Sequence, residues 1–533
     1  MSSRAILVQN ISGPLSRSNL VKVGMGESVN MYPETQDITD KSTTLLMRSA
    51  EGAKKFVNSA FEGQCRGLFR VSRGINGNPT LYAVFGSKLY LVTADGIPFY
   101  IGDIGSTLGA VSMAETNGYG SAAPHLVLVD GLRCYAVDVT MTVADQRTDF
   151  RAIELPNRVN DTTSKIEPTH VCYAFNYLVC NDKVADKIYF SKLYPFETTT
   201  STNETDYDIW RVNDTEGGIG LWEFCDWAPD NTLAIISTHS KIYSFGQLSW
   251  QAFSFNDDEN NPFSCPDNAA GSIGIRAVNS LAKIADKVLW LGTSEIGDNA
   301  IFMIEGLEVR RVSTPDLERE LAIIKNPENA TAQIWQEHQH TFYAITFQDS
   351  DKTYVYDAGE DAWHERASYD IKNRLRCWRY TDATYAYNRT IVACGTELCQ
   401  LDENVYEEHD GRPILKLRRG GVLTSNDQPF YLDSAELICN QGQHGYPTRP
   451  GDYLSNTFLE ANPRISVRYS WDGATWSDYE DYYLGKTGEY EWTTVMWSLG
   501  LGRFFTLEVS TTEKIPFSIE NLKVQFTQCG NFV

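Results

Sequence analysis

Short runs of alternating apolar and polar residues recur through the middle of the chain. Each is broken by a tight turn and followed by a second run. The first is PTLYAVFGSKLYLVTADG at 79–96, where Val84, Phe85 and Leu89, Tyr90 flank a Gly86-Ser87 turn. Alternation with period two around a short turn marks a β-hairpin, because successive strand side chains point to opposite faces. Six more units follow at 125–139, 171–193, 232–245, 283–304, 341–357 and 390–402, their starts 46 to 61 residues apart. A multi-strand unit recurring every 40–50 residues or so is the signature of β-propeller blades.

The pattern changes at both ends. Residues 1–60 show little periodicity and are expected to form an extended N-terminal arm, with a strand near Ser28–Tyr32. Residues 61–420 make the propeller-like domain. A basic-apolar stretch, Ile414 to Arg419, precedes Gly420-Gly421 and marks a boundary. Beyond it, strands are expected at Tyr431–Cys439, Arg464–Ser470, Glu489–Met496, Phe504–Ser510 and Ile519–Phe526, so 421–533 reads as a β-sandwich-like domain. Asp472-Gly473 is a strong turn pair inside that region. The best helix is Thr314 to Lys325, with a capping Thr314, Pro315 at the first helical position, and Leu317, Leu321 and Ile324 on one face. The fold class is therefore all-β: an irregular propeller, an N-terminal arm and a C-terminal sandwich.

Composition agrees with this. The chain has 28 Tyr, 24 Phe and 12 Trp in 533 residues, types that suit a pleated, half-buried surface. A formal charge of −23 repels nucleic-acid phosphates and opposes a polybasic membrane anchor. No run is long and apolar enough to span a membrane, and the first residues do not form a signal peptide. Eleven cysteines without a C-x-x-C pair fit free, buried thiols.

Enzyme motifs are not found. Gly485-Lys486-Thr487 lacks the earlier glycine of a phosphate loop, since Glu480 stands there, and Gly292 to Ile296 misses the nucleophile elbow. His338 and His340 beside Glu337 read as one strand face with no third ligand, so no metal is assigned. Cys394 and Cys399 read as buried thiols, and 257–261 (Asp257, Asp258, Glu259, Asn260, Asn261) as a solvated acidic loop without the glycine and final glutamate of a calcium hand. No cofactor is expected. The hairpin Ser470 to Trp476 resembles an Asp-box. Its structural reading has Asp472 fixing the turn and Trp476 packing the hairpin; its functional reading has Trp471 or Trp476 touching a glycan. The alternative function is accordingly a glycan-binding or sialidase-like propeller.

Both ends resemble one family. ESVNMYPE at 27–34, then LLMRSAEGAKKF at 45–56, is similar to the opening of packaged-DNA stabilisation proteins, the tail hubs of short-tailed phages; Glu51 stands where the family has proline. The closing stretches Gly502 to Val509 and Ile519 to Phe526 are similar to that family's end. The resemblance implies a structural, non-enzymatic protein of the virion tail, made in the host cytoplasm. It implies a hexameric ring below the portal and its adaptor, seating a needle, spikes or fibres. Genomic DNA would pass without sequence-specific binding. Assembly contacts are expected at Asn30, Tyr32, Pro33 and Glu34 and at Arg503 and Phe504. Removing residues 1–34 is expected to leave the propeller folded and to weaken assembly.

Overall fold

The computed structural model describes the chain except residues 1–3, 10, 12–14, 18–24, 40–41, 121, 160, 199–204, 211, 214–218, 257, 259–261, 294–296, 421, 426–427, 443–461 and 529–533. Each of the seven hairpin units lies in a different sheet, with its own strands paired antiparallel. The first sheet runs Cys65–Val71, Thr80–Phe85, Lys88–Val92 and Pro98–Asp103. Similar meanders span 112–153, 171–224, 234–271, 282–311 and 331–365. The seventh is made of Asp382–Ala386, Arg389–Cys394 and Glu397–Asp402, and its fourth strand is Gly52–Lys55 from the other end of the chain. Cys399 pairs with Lys55 and Asp402 with Gly52.

This exchange closes a ring. Seven apolar clusters are each shared by two neighbouring blades. One of them joins the seventh blade to the first through Ile391 and Leu398 against Phe61, Leu81 and Phe85. A closed ring of seven sheets is a β-propeller, the architecture that leaves only short edges. The closing strand needs glycine at its start. A Cβ on Gly52 would run into the carbonyls of Val405 and Glu407, one of which receives the Gly52 N–H at 2.6 Å.

The second body is a two-sheet sandwich. One sheet is ordered Met31–Thr39, Ser42–Ser49, Ser518–Gln528, Phe430–Cys439, Thr494–Gly502, with Arg4–Gln9 also paired to Ser518–Gln528. The other is ordered Met25–Val29, Lys416–Arg419, Phe504–Thr511, Arg464–Ser470, Glu480–Tyr483. Between them pack Met31, Leu432, Leu437, Val467, Phe505, Val509 and Leu522. Val29 also pairs in parallel with Glu365 of the sixth blade, so that blade and the second sandwich sheet are hydrogen-bonded into one. Residues 25–55 thus pass in turn through the second sandwich sheet, the first, and the seventh blade.

The helix expected after Ser313 is present as Pro315–Ala322. Thr314 Oγ1 accepts the Leu317 N–H at 3.3 Å, and Leu317 and Leu321 are buried between the fifth and sixth blades. Two local expectations change. The strand expected at Glu489–Met496 begins at Thr494 and runs to Gly502. It continues past the glycines because Ser498 and Gly500 take positive φ (56° and 97°) and form a bulge against Leu432 and Ser434. His338 is not in a strand: with φ 46° it occupies the turn between Thr331–Glu337 and His340–Phe347.

Candidate functional site

The N-terminal motif is where propeller and sandwich are joined. Asn30 sits between Met25–Val29 and Met31–Thr39 with φ 52°, a left-handed conformation that asparagine tolerates better than most residues. Its amide donates to the carbonyls of Ala367 (2.9 Å) and Leu415 (2.8 Å) and accepts the Ala367 N–H (3.0 Å). The kink turns the strand so that Met31 enters the sandwich core and Tyr32 enters the core between the sixth and seventh blades. Pro33 is buried on the outer strand of its sheet, where no ladder N–H is required. Glu34 binds Arg48 at 3.1 Å. Burial works against its ionisation, but the hydrogen bonds from Arg48 and Gln36 and the nearby Arg48 and His340 charges together hold the carboxyl below its ordinary value. In the single chain, Asn30 and Tyr32 are turned inward onto this chain's own propeller.

Beneath Tyr32 lies a fully buried guanidinium. Arg366 Nη2 donates to Glu337 Oε2 at 2.8 Å. Its carbon lies 5.5 to 6.0 Å from the ring centres of Trp335, Phe342, Trp378 and Tyr32. Glu337 also accepts the Glu51 N–H (2.9 Å) and the Trp335 indole N–H (3.3 Å). Burial opposes the Glu337 charge, but Arg366 and these donors hold the carboxyl below its ordinary value. His364 is driven well below the usual imidazole range by burial and is neutral. His338 pairs with Glu51 (2.9 Å) and His340 with Asp357 (2.6 Å), so the two imidazoles serve different partners. Among the described residues, no three His, Cys, Asp or Glu side chains converge as a metal site. Cys394 and Cys399 are free, and burial pushes both thiols up. Asp258 is exposed; Asp257, Glu259, Asn260 and Asn261 lie outside the described residues.

The C-terminal residues separate. Arg503 is exposed in the turn before Phe504–Thr511, and Phe504 is half-buried at the start of that strand. In the Asp-box-like turn, Asp472 Oδ1 accepts the N–H groups of Ala474 (2.8 Å) and Thr475 (2.6 Å), which draw its carboxyl down to about 2. The Trp471 indole donates to the Leu499 carbonyl at 2.9 Å, and its ring meets Phe430 and Phe505 edge-on. Trp476 lies 4.8 and 4.9 Å from the guanidinium carbons of Arg419 and Arg468, both of which bind the buried Glu508. These contacts are the work of a turn and a packed hairpin. The Thr494–Gly502 strand ends its sheet among the described residues and exposes Trp497 (67%) and Leu501 (55%).

Buried ionisable side chains such as Arg366, Glu508 and Lys416 escape a one-dimensional reading. The stretch read as a boundary is a sandwich strand, and Lys416 Nζ is buried there against the carbonyls of Glu513 (2.7 Å) and Ile515 (2.6 Å). Burial pushes this ammonium down to about 7 from 10.5. The folded chain therefore binds fewer protons than the unfolded chain between these values, and stability from this residue rises with pH across that window. Denaturant midpoints measured from pH 7 to 10 will show a shallower rise in Lys416→Met than in the parent chain. An unchanged slope would mean that Lys416 is charged in the fold.

Residues 224–406 match the family model described as Phage_stabilise: Bacteriophage P22 Gp10, beta-propeller. The match runs from the end of the third blade to just beyond the seventh blade's third strand, and over it the chain is Gp10-like. It bears out, on the propeller, the resemblance carried by the two chain ends. No curated protein matches the chain. Among solved structures the chain is similar to virginiamycin B lyase from Staphylococcus aureus, at 10% identity and TM-score 0.39, over 66% of this chain and 97% of that one. It is also similar to the β-propeller domain of Cps50 (Swd1) from Myceliophteria thermophila, at 8% identity and TM-score 0.38, over 65% and 98%.

Proposed function

We propose that this protein is a structural component of a short-tailed phage tail, a hub that forms a ring below the portal and its adaptor and retains packaged DNA. The observation that carries the reading is the family match over residues 224–406, on a propeller whose ring is complete within one chain. Clamping of the propeller to a second β-domain supports it, because a hub must transmit load between layers without internal play. The reading includes six copies per ring, seating of a needle, spikes or fibres, passage of DNA, and no enzymatic activity. Net charge −23 supports a DNA path that does not retain phosphates. Exposed Arg503 and its neighbour Phe504 are the retained assembly contacts; Asn30 and Tyr32 act by holding propeller and sandwich at a fixed angle.

The test is electron cryo-microscopy of the native particle. The expected result is a six-fold ring of this chain stacked on the portal-adaptor rings, with carboxylates lining its channel. A channel lined mainly by Lys and Arg, or a particle that lacks the chain, would overturn the reading.

A further inference from the structure

The propeller encloses an axial cavity of about 1220 Å³ that opens where the innermost strands begin. It is larger than the roughly 300–1,000 Å³ of small-molecule sites, and so has room for a piece of polypeptide. Its wall is mixed. Leu68, Met113 and Leu281 are apolar, while Thr169, Thr331 and Asp382 are polar. At the rim Leu108 is 84% exposed, on a connection that Arg66 pins through its carbonyls.

Most charges in this cavity are already used; two carboxylates, Asp130 and Asp382, have no ion-pair partner among the described residues. Lys88 binds Glu62 at 2.5 Å, and Lys183 binds Glu167 at 2.8 Å. Arg66 donates to the carbonyls of Gly86, Ser106, Leu108 and Gly109 at 2.6 to 2.8 Å. Asp130 Oδ1 closes its own turn by accepting the N–H groups of Leu132 and Arg133, while its Oδ2 is buried without a hydrogen-bond partner. His170 is driven by burial to about 4 and is neutral at pH 7. Asp382 is the other such carboxylate. Its two oxygens accept the N–H groups of Leu68 and Ala383, both at 2.9 Å, and among the described residues no cation lies within ion-pair distance. The nearby Cys65 thiol is pushed up by burial and then by Asp382, and so contributes no charge.

We propose that the axial cavity is a docking site for an extended segment of another protein, whose arginine or lysine pairs with Asp382 while its apolar flanks rest on Leu108 and the inner wall. Charge complementarity selects this occupant: a half-buried carboxylate held by backbone donors alone gains most from an incoming cation. The site lies in the propeller and does not depend on the virion reading. Desolvation raises the Asp382 carboxyl to about 7, against which the Leu68 and Ala383 N–H groups work. A bound cation favours the ionised form, so docking releases protons near neutrality and tightens as pH rises through 7.

The experiment is calorimetry on the full chain with two probe peptides, acetyl-leucyl-arginyl-leucinamide and its glutaminyl counterpart, in buffers of different ionisation heat. The arginyl peptide is expected to bind about tenfold or more tighter, as a charge-assisted hydrogen bond implies, with proton release at pH 7. Asp382→Asn abolishes both the preference and the proton release. Thr331→Arg, which supplies a cation from the wall and leaves the Asp382 bonds intact, does the same; thermal melts confirm that each variant folds. Equal binding of the two peptides, or no binding up to the order of 1 mM, overturns the proposal. Tighter binding of methylguanidinium than of the peptide overturns it too, since the occupant would then be a free cation.

Discussion

Arg366→Ala is expected to lower the stability of the propeller by about 3–5 kcal/mol, the loss typical when one partner of a buried ion pair is removed. Three effects add. Glu337 keeps its charge with no guanidinium opposite, and its remaining donors are the Glu51 backbone and the Trp335 indole. The cage of Tyr32, Trp335, Phe342 and Trp378 is left around a void. Both faults fall in the core shared by the sixth and seventh blades. Urea denaturation followed by fluorescence reads the effect directly, because Trp335 and Trp378 report on that core. Arg366→Met combined with Glu337→Gln should cost less than the two single changes together, since it removes the uncompensated charge. A loss for Arg366→Ala within about 1 kcal/mol of zero would mean that the guanidinium is not buried as described.

Removing residues 1–34 will destabilise both bodies, a reversal of what the sequence alone leads one to expect. Val29, Met31 and Tyr32 are almost wholly buried, Met31 in the sandwich core and Tyr32 in the propeller core. Tyr32→Ala by itself is expected to cost about 3–5 kcal/mol, as for other buried aromatic side chains. The truncation also removes the strand Met25–Val29 that joins Lys416–Arg419 to the sixth blade. Limited proteolysis should cut the truncated chain at the blade connections and within the sandwich under conditions that leave the full chain whole. Equal resistance and equal midpoints would restore the picture of a dispensable arm, and any assembly defect would then belong to residues 1–34 as a surface.

Much of the fold was legible in the chain because hairpins are local. All seven units read from alternating runs and short turns lie in seven separate blades, and the hairpin strand Arg464–Ser470 has the bounds expected from its pattern. The helix cap at Thr314 was legible for the same reason, since a capping hydroxyl and the N–H it accepts are three residues apart. His338 was misplaced because two residues of positive φ, His338 and Gln339, make a turn without glycine or proline to announce it. The motif Asn30-Met31-Tyr32-Pro33 was legible as a resemblance but not as a mechanism. Its partners Ala367, Leu415 and His340 lie more than 300 residues away.

By itself the sequence determined the strands, their turns and their grouping into blades, because period-two burial and turn chemistry act over a few residues. Only the tertiary structure decided which strand closes the ring, where the buried charges find partners, and which carboxylates line the cavity without a cation. Backbone ladders carry no residue code, so Gly52–Lys55 is chosen to complete the seventh blade by the geometry of a nearly closed ring. A charge can be buried only where the fold brings its partner, and for Arg366 and Glu337 that position exists only after three strands of the sixth blade and the Tyr32 strand have met.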